Sequence, residues 1–166
     1  MTDEPAPPPE TAPIPALLVP ADPGIPVRII DLSEGKSSLA VLQKAVGGAV
    51  EVQAHDEGDL WLNDEGRLID LPINVRVNHW MVNDSTRARH HHVGESLVMY
   101  GDVVITGPPD HHGDTTAVHQ HMIDYFQNLH LSPNAMKDWD IRSTEIVIII
   151  DQSDPPPDLG DLGSGL

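Results

Sequence analysis

The sequence predicts an α+β domain: one mixed or antiparallel sheet of five to six strands with about three helices, flanked by disordered Pro-rich tails. Three observations point there. β-branched runs such as "VRIIDL" and "DVVITG" alternate along the chain with segments whose apolar residues recur at spacings of three and four. The 166 residues give room for one domain. Proline crowds the ends, with nine of the sixteen in residues 1–26 and a "PPP" run at 155–157.

Residues 1–26, "MTDEPAPPPETAPIPALLVPADPGIP", show no apolar period, and each proline removes a backbone donor. They read as an extended acidic tail, and residues 152–166, rich in Pro, Gly and Ser, read as a second one. Residues 27–151 are then the single ordered domain. It opens with "VRIIDL" (27–32) as a strand. In "SEGKSSLAVLQKAVGG", Ser37 or Ser38 caps a helix that carries Leu39, Leu42, Ala45 and Val46 on one stripe, and Gly47 and Gly48 stop it.

"AVEVQAHD" alternates into a strand, with Val50 and Val52 on one face. "DLWLNDEGRLIDLPIN" reads as a second strand, a tight turn at Asn63–Gly66 with Gly66 free to take positive φ, and a return strand. Beyond Pro72, Asn74 caps a helix with Val77, Trp80 and Met81 on one face. "LVMYGDVVITG" returns to strand and ends at Gly107-Pro108-Pro109. Asp114 or Thr115 opens a third helix, with Val118, Met122, Tyr125, Phe126 and Leu129 on its apolar stripe. "TEIVIIID" closes the domain as a strand buried on both faces or lying at an interface. Trp61 and Trp80 fall in periodic segments and read as core, with Trp139 as a third large aromatic.

Charge excludes several functions. All nine basic residues lie between Arg28 and Arg142, against 26 acids spread over domain and tails, for a net charge of −17. Phosphate binding needs clustered Lys and Arg, so direct contact with nucleic acid or with anionic membranes is not expected. There is no cysteine, hence no disulfide and no thiolate zinc site. The longest apolar run of the N-terminal segment, "ALLV", is too short for a signal peptide or a membrane span, so the cytoplasm is the expected location.

Three stretches carrying four motif elements, "LQKAVGGAVEV", "LWLNDEGRLIDLPIN" and "GDVVITG", are similar in order and spacing to a domain family of unknown function found in actinobacteria and their phages. That family's pattern is a "VGGxIE" helix-to-strand turn, an "NEEG" hairpin, a "PxN" helix cap and a "GDVVI" strand. The chain departs from it in having Ala49 where an aromatic is common and Asp64 in place of the first Glu of the hairpin motif. The resemblance covers residues 27–110 and implies a small phage or phage-derived accessory protein. It implies no activity and no residue role.

Seven of the ten histidines lie in "RHHHVGES" and "GPPDHHGDTTAVHQH". A zinc site needs three or four donors converging from a rigid frame. On a helix His119 and His121 point about 200° apart and cannot share one ion; on a strand they could, but "TTAVHQHMIDYFQNLH" carries a helical apolar stripe. His90–His92 fall in a loop. The arrangement that survives is His111, His112 and Asp114 meeting His119 at the mouth of the helix; the plainer readings are a solvated loop or part of a protein contact. No GxxxxGK[ST] phosphate loop and no GxSxG elbow occur, and "VGGAV" follows a helix where a nucleotide fingerprint needs a strand.

No catalytic residue and no cofactor are therefore expected. The reading is a non-enzymatic protein-binding module that docks on a host or phage protein. A narrower form is an acidic inhibitor of a host nucleic-acid-binding or defence enzyme. The competing class is a metal-binding protein or metal-dependent hydrolase using the histidine cluster, and a third is a homodimer paired through "EIVIIID".

Overall fold

A computed structural model describes residues 11–83 and 98–132. Within them lie five strands and three helices: β1 (Pro15–Val19), β2 (Arg28–Asp31), α1 (Ser38–Val46), β3 (Val50–Gln53), β4 (Leu60–Asn63), α2 (Val75–Asn83), β5 (Val103–Ile105) and α3 (Gln120–Asn128). The strands form one antiparallel sheet in the order β2-β1-β5-β4-β3. The fold class is the α+β one anticipated from the sequence, with the sheet antiparallel throughout.

Strand alternation sorts the core onto two faces. Leu17 pairs with Ile105, and Ile105 with Leu60; these point to one side with Val19, Leu62 and Val103. There they meet Val77 and Trp80 of α2, Met122 and Phe126 of α3, and Met99 and Val118. Leu18 pairs with Val104, and Val104 with Trp61, on the other side, where Ala16 and Leu18 pack with Leu32 and with Leu42 and Val46 of α1. The sheet is thus covered on both faces, and its central strands are apolar at every position of "ALLV" and "VVI".

Here the boundary drawn at residue 27 is corrected. The prolines flank β1 rather than interrupt it: Pro15 opens the strand, where a missing donor is tolerated, and Pro20 follows its end. A run buried on both faces has no alternation to detect, so "ALLV" passed for tail.

The caps follow side-chain chemistry. Ser37 Oγ accepts from the Ala40 amide at 3.1 Å, and Gly47, at φ 79°, ends α1 in the left-handed conformation that glycine takes without a Cβ clash. Leu39, assigned to the apolar stripe, is instead half exposed. Asn74 caps α2 by accepting from the Val77 amide, and its amide group donates to Val19 O and Gly101 O, tying the helix start to the end of β1. One turn on, Asn78 exchanges bonds with the Met99 backbone in both directions. Trp80 is buried and Trp61 half-buried, its indole donating to Thr106 Oγ1 at 3.0 Å.

Three further expectations change. After Asn63 the chain makes turns in place of a return strand, and the hairpin partner of β4 is β3. Gly66 does not take positive φ; Asp70, at 55°, does. What Gly66 supplies is room, since a Cβ there would press on Asn63 O and Tyr100 at 3.2–3.3 Å. Finally, α3 begins at Gln120, not at Asp114 or Thr115. Residues 107–116 close a loop of their own, bridged Gly107 to Thr116, and the Val118 amide donates to Pro15 O at 2.9 Å, so that stretch is extended until His119. The closing strand "TEIVIIID", Trp139, His90–His92 and the tail 152–166 lie outside the described residues. No described helix is long and apolar enough to cross a membrane.

Candidate functional site

The late start of α3 has a chemical result. His119 stands at the N-cap in an extended conformation (φ −71°, ψ 142°), so it and His121 are not both on the helix. The argument that residues two apart diverge fails for this pair, and their rings lie 5.4 Å apart. The N-cap imidazole makes no capping bond.

Glu57 reaches the same place from the β3–β4 connection and contacts His121 through its carboxylate. The turn that carries it is held on three sides. The Glu57 amide donates to His55 Nδ1 at 3.0 Å, the His55 ring packs at a tilt against Trp80 with 4.6 Å between centroids, and Gly58 N donates to His55 O. Gly58, at φ 146°, lies so close to the strand end that a Cβ would sit 2.0 Å from Thr106 O. Only glycine lets the turn sit down on β5 at that point.

Ligand atoms of Glu57, His119 and His121 all lie within 4.8 Å of one another. Beside them a cleft of ≈ 250 Å³ is lined by Glu57, Trp80, Asn83, His121, Met122 and Tyr125. Burial raises the Tyr125 pKa above the usual phenol range.

The residues singled out from the sequence are only partly brought together. His111 and His112 stack on each other at 3.8 Å at the exposed tip of the 107–116 loop. That tip is organised by Asp110, whose Oδ1 accepts from the amides of His112 and Asp114. His119 belongs with Glu57 and His121, and the metal-competent group found among the described residues contains neither His111, His112 nor Asp114. Glu57 was missed because its partners lie more than sixty positions away. The short turn "HDEGD" was the available signal, a His and three acids around a glycine.

The opposite face of the sheet carries a larger groove, ≈ 890 Å³, between β2 and α1. Its apolar floor includes Leu18, Ile30 and Val41, and three cations, Arg28, Lys36 and Lys44, line it. No ion pair joins these three to a carboxylate among the described residues. Three acids, Asp31, Glu34 and Asp102, also line it; Asp31 accepts from Ser33 and Ile14 and Asp102 accepts from the Ala21 amide, so these two are engaged in holding the backbone. β2 is an edge strand, and Ile29 on it is exposed.

No curated protein and no solved structure matches the chain. Residues 16–130 match the family described as a domain of unknown function, DUF3846. That span is well over half of the chain and runs from β1 through α3, and on it the chain belongs to the DUF3846 family.

Proposed function

We propose that the domain is a non-enzymatic protein-binding module, a phage-type accessory protein that docks on a host or phage protein in the host cytoplasm. The groove between β2 and α1 is the docking site in this reading. The observation that carries it is the gathering of Arg28, Lys36 and Lys44 around an apolar groove in a chain of net charge −17. They are three of the five basic residues within the described segments, and they line the groove beside β2, the edge strand of the described sheet, together with Asp31, Glu34 and Asp102.

An edge strand offers unpaired backbone groups to an extended peptide, and flanking pockets select its side chains. The partner is then an extended segment with apolar residues for the floor and carboxylates for the rim. Opposite charge at the rim speeds encounter and rejects wrong partners more than it adds affinity.

The narrower inhibitor reading, in which acids compete with nucleic acid for a basic surface, needs carboxylates along one face. The described acids are instead spread along the chain, from Asp22 through β2, β3 and most of the connections to Asp124 of α3, so the groove is the stronger support.

Affinity capture on the full chain, wild type against Ile29→Asp and Lys36→Glu/Lys44→Glu, is the test. The wild type should recover a stoichiometric partner that each variant loses, at unchanged melting temperature. Equal recovery by the variants, or none by the folded wild type, overturns the reading. Sedimentation at several concentrations identifies the case in which the partner is a second copy.

A further inference from the structure

We infer that Glu57, His119 and His121 form a zinc-binding site on the face of the sheet opposite the groove. Two imidazoles and one carboxylate are a donor set that zinc accepts, and with no thiolate in the chain the choice among metals falls to nitrogen and oxygen ligands. Donors of a tetrahedral ion bound at about 2 Å stand about 3.3 Å apart. The three here lie within 4.8 Å, and both histidines are exposed, so small rotations about their side-chain bonds bring the donors to that spacing.

The backbone beneath them is held by contacts outside the cluster. The turn carrying Glu57 is pinned by the Gly58–Thr106 approach and by His55 on Trp80. The His119 end is pinned by Val118 donating to Pro15 O, and His119 O accepts from the Met122 amide in the first turn of α3. Two segments far apart in the chain therefore present their donors to one point. Three protein ligands leave a coordination position open, and the adjacent cleft with Tyr125 and Asn83 on its wall gives water or a small anion access to it.

The experiment uses the untagged full chain and zinc salt alone, with affinity read by competition against a chromophoric chelator and stoichiometry by elemental analysis. About one zinc per chain is expected. Glu57→Gln, His119→Asn and His121→Asn should each weaken binding by about tenfold or more, since loss of even a group that only orients a ligand costs about that much. His111→Asn/His112→Asn should bind as the wild type does. All substituted positions are polar and at the surface, and circular dichroism checks that each variant is folded. Fewer than about 0.1 zinc per chain overturns the site. So does wild-type affinity in the Glu57, His119 and His121 variants, because the metal would then sit on other histidines.

Discussion

Asp31 shows how much one carboxylate can hold. Its Oδ1 accepts from Ser33 Oγ at 2.7 Å, the Ser33 amide at 2.9 Å and the Ile14 amide at 2.9 Å, joining the end of β2 to the residue before β1. The Ser33 hydroxyl first, then the two amides, favour the charged form and keep its pKa below the ordinary aspartate range. A depressed folded-state pKa contributes stability that is complete above the unfolded value of about 3.9 and disappears as pH falls through the lower folded value. Asp31→Asn removes this ionisation. The wild type should therefore lose melting temperature more steeply than Asp31→Asn between pH 5 and pH 2, as followed by thermal scans, and parallel curves would refute the assignment. At this scale, residues that act on their own neighbours were legible from the sequence: Ser37, Gly47 and Asn74 behave as their chemistry requires. Asn78, Gly58 and Glu57 were not, because each answers to a backbone or side chain distant in sequence, and nothing local marks it.

Among the elements, β1 is hidden in the sequence pattern and α3 starts later than its pattern suggests, for opposite reasons. β1 is too apolar to show a period. In α3 the stripe from Val118 to Leu129 is real, but the backbone of 107–118 is bonded elsewhere, so periodicity ran past the helix it belonged to. β1 lies between β2 and β5, with Ala16, Leu17 and Val19 fully buried. Leu17→Ala should destabilise the fold by about 2–5 kcal/mol, the range for truncating a buried leucine. A chain beginning at residue 21 should show no cooperative urea transition at all. A cooperative transition from that truncated chain, monitored by tryptophan fluorescence, would mean that the sheet closes without its inner strand.

At the level of the whole molecule, the sheet separates two surfaces of different chemistry: cations around an apolar groove beside α1, imidazoles and a carboxylate beside α2 and α3. The fold class could be inferred from pattern alone. The separation could not, because it depends on which face each residue takes, and that is set by register. The same register has a temporal meaning. Leu17, near the start of the chain, pairs with Ile105, so the inner strand leaves the ribosome long before the partner on one of its sides has been made. Its Leu17 and Val19 face stays unsheltered while the intervening segments are synthesised, an interval in which such strands associate with one another. Pairings this remote also slow closure of the chain. Stopped-flow refolding should accordingly take milliseconds to seconds, and aggregation during expression should depend on the "ALLV" run more than on any residue exposed in the finished fold.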